Sequence, residues 1–156
     1  MDAHLELSFQ PMWPNVRKIR QQVGTTLEGC RPELRSAAVM TASELVENAI
    51  KYGESVPAAP SVTFLLEATP RRLAIRVANG STNALGVAEL ERRVKELSGT
   101  PNKEALYLAR LEQLLAHSEE SGKLGIYRIG FEGGFDLALD YSNDVVTVTA
   151  TRNTDG

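Results

Sequence analysis

The sequence predicts an α+β protein, a two-layer α/β sandwich whose mixed, mostly antiparallel sheet is covered by helices on one face. Two observations lead to this prediction. Segments with alternating apolar residues, typical of strands, occur in pairs joined by short turns, and such pairs form antiparallel hairpins. Segments with apolar residues at three- and four-residue steps, typical of helices, lie between those pairs. The predicted order is β-α-α-β-β-α-α-(α)-β-β, in a single domain over residues 1–156.

The composition is ordinary for a globular protein and argues against several functions. Of the residues, 42% are hydrophobic and 24% are charged, and the net charge of −3 provides no basic surface for nucleic acid. No apolar run approaches the length that spans a bilayer, so we expect no membrane partner. The single cysteine, Cys30, cannot form an internal disulfide, which suits a reducing compartment. We therefore expect a cytoplasmic protein.

The first half of the chain predicts a strand, two helices and a hairpin. The opening strand alternates apolar and polar residues and ends at Pro11, and prolines suit the first turn of both helices. The turn Thr69-Pro70-Arg71 joins the two strands of the hairpin. The predicted elements are a strand over 4–10, helices from Pro14 to Gly29 and from Pro32 to Gly53, and strands over 61–68 and 72–79.

The second half predicts two amphipathic helices, a short helix and a closing hairpin. Asn102 is a predicted N-cap for the second amphipathic helix. These two helices carry more apolar surface than one small sheet needs, so we expect a homodimer. The predicted elements are helices over 87–97 and 102–115, a short helix over 124–134, and strands over 135–141 and 146–150. The second helix has Ala105, Leu108, Leu111 and Leu115 in step, and we interpret Glu89, Arg92, Arg93, Lys95 and Glu96 of the first as a solvated face.

The helix that ends at Gly53 carries the most informative residues. Glu44 and Asn48 lie one turn apart on one side, with Lys51 beside them, and the apolar residues lie on the opposite arc. A carboxylate, an amide and an ammonium on one face could hold a water, a divalent ion and a phosphate. Any amphipathic helix also places polar groups outward, so a purely structural α+β protein stays an alternative.

The string Glu-Leu-Val-Glu-Asn-Ala-Ile-Lys-Tyr in this helix resembles the N box of the GHKL superfamily of gyrase-type ATPases, sensor histidine kinases and anti-sigma serine kinases. The resemblance implies a Bergerat-type fold and a site for ATP and magnesium. It implies that Glu44 is the catalytic base, that Asn48 binds the magnesium ion and that Lys51 contacts phosphate. Magnesium prefers oxygen ligands, and a nearby carboxylate can activate a hydroxyl or a water.

Two later segments resemble the family's glycine-rich motifs in weakened form. Val-Ala-Asn-Gly-Ser, ending at Ser81, stands where the family has D-x-G-x-G, with Ala78 in place of the adenine-binding aspartate. The resemblance then leaves Asn79 and Gly80 as nucleotide-binding residues, with Asn79 as the acceptor if the register shifts by one. Ser-Gly-Lys-Leu-Gly-Ile-Tyr resembles G-x-G-L-G-L, whose backbone N–H groups approach phosphates. It assigns Lys123, Leu124 and Gly125 to a phosphate loop.

The resemblance extends to small stand-alone bacterial GHKL-like proteins with degenerate glycine motifs. It implies a bacterial signalling protein that acts by binding a small regulatory protein of the anti-anti-sigma or response-regulator type, with ATP binding weak or lost. The alternative is an active ATP-dependent serine/threonine kinase of the anti-sigma type. A complete sensor histidine kinase is excluded, because the chain lacks the dimerisation and phospho-acceptor helix pair.

Overall fold

The computed structural model describes residues 2–116 and 124–154. Within them, five strands and five helices follow the predicted order. The strands are β1 (Ala3–Phe9), β2 (Val62–Ala68), β3 (Arg72–Gly80), β4 (Asp136–Ser142) and β5 (Val145–Asn153). The helices are α1 (Pro14–Thr26), α2 (Pro32–Tyr52), α3 (Ala84–Gly99), α4 (Lys103–Ala116) and α5 (Gly125–Phe131).

The strands form one sheet in the order β1-β2-β3-β5-β4, and every neighbouring pair is antiparallel. The predicted α+β sandwich is confirmed, and the sheet is antiparallel throughout the described strands rather than mixed. The reason is that β4 and β5 form a hairpin and β5 then runs beside β3 in the opposite direction. Asn143 and Asp144 join that hairpin with φ of 54° and 61°, which is typical of a two-residue turn.

The core lies between one face of the sheet and the helices. Leu73, Ile75 and Val77 of β3 are buried, whereas Arg72 and Arg76, which alternate with them, are exposed on the other face. Burial of each large apolar side chain contributes about 1.5–3 kcal/mol, so this alternation fixes which face the helices cover. The largest fully buried side chains are those of Phe64, Phe135, Ile19, Leu27, Leu66 and Leu73.

The helix boundaries follow the prolines and glycines only in part. Both α1 and α2 have proline in the first turn, and α2 ends with Gly53 as its C-cap, as predicted. Helix α1 instead ends at Thr26 with Leu27 as its C-cap, so the predicted end at Gly29 is wrong. Leu27 is fully buried in the core, and Gly29 lies in the turn that follows the helix. None of the described helices combines the length and apolar character needed to cross a bilayer.

The most obvious apolar stripe of helix α4 does not face the core. Leu108 is 50% exposed and Leu115 is 80% exposed, so this stripe faces outward. The helix instead packs on α5 through Tyr107, whose ring centroid lies 5.3 Å from that of Phe131, and through Arg110. Leu106 of the same helix packs, partly buried, against the core. The homodimer stays a prediction, and the exposed leucines are a surface that a second copy would cover.

Candidate functional site

A cavity of about 240 Å³ lies between α2, β3, α3 and β5, with one residue of α5 in its wall. Most of its lining is apolar and includes Leu45, Val77, Val87, Leu90, Ile126 and Val146. The polar groups that reach it are few, and they come from α2, the end of β3 and α3. A mainly apolar cavity with a few convergent polar groups is the usual form of a small-molecule site.

Asn48 and Asn79, two residues predicted from the sequence to bind nucleotide, both line this cavity. Asn48 reaches it from α2, and Asn79 reaches it from the end of β3. Asn79 lies on the same face of β3 as the buried Val77, whereas Ala78 lies on the opposite face. The Asn79 Nδ2 donates to the Gly80 carbonyl at 3.0 Å, which leaves the amide oxygen as an acceptor. Asn79, and not Ala78, therefore reaches the cavity.

Glu44 lies outside this cavity, on the other side of α5. It lines an open groove of about 950 Å³ formed by α1, α2 and α5, together with Arg20, Arg35, Glu47 and Arg128. The Glu44 side chain is 20% exposed, and its Oε1 lies 3.4 Å from Arg128 Nη1. A methyl group at Gly125 would overlap the Glu44 carboxylate, so α5 packs directly on it. The structure therefore separates Glu44 from the space that Asn48 lines.

The Glu44 carboxyl has an electrostatic environment of opposing effects. Burial raises its pKa above the ordinary value of 4.5, and the negative charge of Glu47 raises it further. The Arg128 guanidinium acts in the opposite direction without reversing the shift. Arg128 also pairs with Glu132 at 2.5 Å, so its positive charge is shared between two carboxylates. Glu44 is thus a partly desolvated acid in a mixed-charge groove.

The other sequence-predicted residues are spread around the cavity. Lys51 is exposed, and its Nζ lies 5.3 Å from the ring centroid of Tyr52, a residue of the cavity lining. Gly80 is buried where β3 meets the backbone of Glu54, whose N–H donates to the Gly80 carbonyl at 2.8 Å. Leu124 lines a separate cleft between α3, α4 and α5. Lys123 lies outside the described residues.

That cleft, of about 180 Å³, shares part of its wall with the cavity. Glu89 and Arg93 of α3 line both spaces, and Arg92 and Arg110 line the cleft. Glu89 Oε1 accepts from Arg92 Nη2 at 2.8 Å and from Arg93 Nη2 at 3.0 Å. The hydrogen bond from Arg92 is the main reason why the pKa of Glu89 falls to about 2. We call this the arginine cleft.

The far side of the arginine cleft is a second charged cluster. Arg110 forms an ion pair with Glu96, and Tyr127 donates its hydroxyl hydrogen to Glu96 Oε1 at 2.8 Å. Burial, followed by the hydrogen bond to Glu96, raises the pKa of Tyr127 above its ordinary value. This cluster links α3, α4 and α5, so it fixes the helices that form the cleft.

Arg93 is a residue that the sequence analysis misplaced. We predicted that it belongs to a solvated face, but its side chain is only 9% exposed. It lies three residues after Leu90 and four before Leu97, so it interrupts the apolar stripe of α3. A charge inside a helical apolar stripe was the available signal. Arg93 is buried in the wall between the cavity and the arginine cleft, and it lines both of them.

The residues at the cavity do not fit magnesium well. A divalent cation takes oxygen ligands, and charged carboxylates are the strongest of them. Asn48 offers a neutral amide, and both oxygens of Glu89 are already hydrogen-bonded to Arg92. The positive charge of Arg93 repels a second cation. Among the described residues, no three His, Cys, Asp or Glu side chains are grouped as a metal site.

The cavity is small for a whole ATP molecule. Pockets for drug-sized ligands have volumes of about 300–1,000 Å³. A volume of about 240 Å³ suits one planar ring system, with the triphosphate left outside. No protein-family model matches the chain. No curated protein has a sequence significantly similar to it.

Proposed function

We propose that this protein is a bacterial regulatory protein of GHKL-like fold that acts by binding a small partner protein, with ATP binding weak or lost. The observation that carries the proposal is the separation of Glu44 from Asn48. A GHKL-type phosphoryl-transfer site needs the carboxylate and the amide around one nucleotide. Here Asn48 lines an apolar cavity, whereas Glu44 pairs with Arg128 in an open groove.

The open groove offers a surface for a protein partner. Arg20 donates to Ser43 Oγ at 3.2 Å, and Ser43 donates to Glu47 Oε1 at 3.3 Å. Arg35, Glu44 and Arg128 add further charges along the same groove. Charges of both signs in a fixed arrangement favour one partner over others, because a partner with mismatched charges loses several kcal/mol. This suits a regulator that must recognise one small signalling protein.

A charge-reversal variant tests partner binding. The immobilised protein would capture its partner from an extract of the native host, and the captured protein would then be purified and titrated. We expect Glu47→Lys to weaken this binding at least tenfold, since it reverses one charge of the groove. The matched control, Glu67→Lys on β2, changes an exposed glutamate on the outer face of the sheet and should bind as the wild type does. Equal binding by both variants would refute the groove as the binding surface.

Nucleotide binding is tested separately by calorimetry. We expect ATP with magnesium to bind more weakly than about 100 μM, and Asn48→Ala to have little effect on this weak binding. Micromolar ATP binding that Asn48→Ala abolishes would contradict the proposal. The serine/threonine kinase alternative predicts phosphate transfer to the captured partner, with complete loss of transfer in Glu44→Ala. The separation of Glu44 from the cavity makes this alternative less favourable.

A further inference from the structure

The arginine cleft and the cavity together form a site whose chemistry differs from that of a metal-dependent nucleotide site. The two spaces have volumes of about 240 and about 180 Å³ and share the wall formed by Arg93 and Glu89. Together they exceed the lower end of the range for small-molecule pockets. One space is apolar with amide groups, and the other is lined by guanidinium groups.

The charges of the wall are not balanced. Arg92 and Arg93 both donate to the single carboxylate of Glu89, whereas Arg110 has its own partner, Glu96. Among the described residues that line the cleft, three arginines therefore face two carboxylates, Glu89 and Glu96, and the wall carries a net positive charge. A net positive charge at this wall favours an anion there, because hydrogen bonds between charged groups are the strong ones.

Arg93 has donors to spare for such an anion. Its Nη2 donates to Glu89, and among the described residues no acceptor takes its remaining N–H groups. Arg93 lines both spaces, and its hydrogen bond to Glu89, which also lines both, holds the guanidinium at their shared wall. The planar guanidinium can hold a phosphate or a carboxylate through two parallel hydrogen bonds.

The cavity has complementary features for a heterocycle. Its apolar walls suit the faces of a planar ring. The amides of Asn48 and Asn79 supply both donors and acceptors for the ring's edge. A ring in the cavity would place a substituent of a few atoms' length beside Arg93.

We propose that the cavity and the arginine cleft bind a nucleoside monophosphate, with the base in the cavity and the phosphate on Arg93 and Arg92. Arginine supplies the positive charge that magnesium supplies in metal-dependent nucleotide sites, so binding needs no metal ion. This site is independent of the partner-binding groove, which lies on the other side of α5.

Calorimetry with paired ligands tests the proposal. The probes are the four ribonucleoside 5′-monophosphates and the corresponding nucleosides, each measured with EDTA and then with magnesium. We expect at least one monophosphate to bind about tenfold or more tightly than its nucleoside with EDTA present, since its phosphate would form charge-assisted hydrogen bonds with the arginines. Added magnesium should not increase this affinity.

Variants of the cleft identify the residues responsible. Arg92→Gln changes a side chain that is 56% exposed and should fold normally. It should weaken monophosphate binding several-fold and leave nucleoside binding unchanged. Arg93→Lys keeps the charge but loses the planar fork, and it should reduce the preference for the monophosphate further. The matched control is Arg76→Gln on the outer face of the sheet, which should bind every probe as the wild type does.

Several results would overturn the proposal. Equal affinity for monophosphate and nucleoside would remove the role of the arginines, and so would unchanged binding in Arg92→Gln and Arg93→Lys. Binding that requires magnesium and is abolished by Asn48→Ala would place the phosphate at a metal instead. Absence of binding by all eight probes would also refute it. Partner capture by Glu47→Lys is a separate measurement, so failure of this site and failure of the proposed partner binding are distinguishable.

Discussion

Asn48 and Glu44 lie one turn apart on the same face of α2, but their surroundings differ in almost every physical respect. Asn48 lines a partly enclosed, mainly apolar cavity of about 240 Å³, and Glu44 lines a more open, charged groove of about 950 Å³. Four residues along a helix correspond to a rotation of only about 40°. The difference therefore comes from what packs against the helix, and not from the helix itself.

Helix α5 is the element that separates the cavity at Asn48 from the groove at Glu44. Ile126 lies in the wall of the cavity, whereas Arg128, two residues later, pairs with Glu44 in the groove. Successive residues of a helix are rotated by about 100°, so these two side chains point in nearly opposite directions. Gly125 allows the close approach to Glu44, because any larger residue would overlap the carboxylate. Two residues on one helical face can thus belong to different sites.

The largest expected effect of a single substitution lies on the cavity side. Ile126→Ala removes a side chain that is 2% exposed and should lower the free energy of unfolding by about 3 kcal/mol. Urea denaturation measures this loss. The matched change on the groove side is Val39→Ala, which affects a partly buried residue of the groove and should cost less than about 1 kcal/mol. Similar losses in the two variants would show that the sides are equally packed.

A smaller effect is expected at the end of β3. A methyl group at Gly80 would overlap the Glu54 backbone carbonyl and would lie 2.6 Å from Val56 Cγ2. Because backbone must move to accept it, Gly80→Ala should lower the free energy of unfolding by about 2 kcal/mol. The control is Gly99→Ala, where no atom lies within 4 Å of the added group. This control should be neutral or stabilising by up to about 1 kcal/mol, since alanine favours a helix.

The element order and the two hairpins, β2 with β3 and β4 with β5, were predictable from local patterns, whereas the pairings of β1 with β2 and of β3 with β5 were not. Alternation along β3 identified the buried Leu73, Ile75 and Val77, and prolines identified the starts of α1 and α2. The end of α1 was predicted wrongly, because Gly29 lies in the turn after the helix and not at its C-cap, whereas Gly53 is the C-cap of α2. Local signals therefore identified the elements more reliably than their ends.

The candidate site was predictable only in part, for a related reason. Helical spacing placed Glu44 and Asn48 on one face, but it contains no information about α5, which comes about 80 residues later in the sequence and separates them. Strand alternation could have placed Asn79 with the buried Val77. The position of Arg93 in the α3 stripe was visible, but interpreting a charge inside that stripe requires knowing that two cavities meet there.

The titration of Glu44 provides a smaller effect that sharpens the comparison. Burial raises the pKa of Glu44 in the folded protein above 4.5, its ordinary value. The folded protein then binds more protons than the unfolded chain between these two pKa values, so the contribution of Glu44 to stability falls as the pH rises through this interval. Glu44→Gln removes this cost together with the ion pair to Arg128. As the pH rises from 4 to 7, the free energy of unfolding of the variant should therefore increase relative to that of the wild type.

An opposite sign is expected for Glu54, which makes it a good control. Its carboxylate accepts hydrogen bonds from the hydroxyl and the backbone N–H of Thr82, which lower its pKa below 4.5. Its contribution to stability is present above pH 4.5 and is lost as the pH falls through the lower, folded-state pKa. Glu54→Gln should therefore be more destabilised, relative to the wild type, at pH 7 than at pH 3. Urea denaturation at both ends of the range measures the two trends, and parallel trends would contradict the assigned environments.

The smallest effect is expected for Lys51, which follows Asn48 by three residues on α2. It is exposed, and its described contact is with the ring of Tyr52, with Nζ 5.3 Å from the centroid. An exposed cation–π contact contributes about 0.5–1 kcal/mol at most, so Lys51→Ala should change the free energy of unfolding by no more than this. It should also leave the affinity for a nucleoside monophosphate unchanged, because the arginine cleft supplies the positive charge. A severalfold loss of that affinity in Lys51→Ala would mean that the phosphate leaves the cavity past Tyr52 rather than past Arg93.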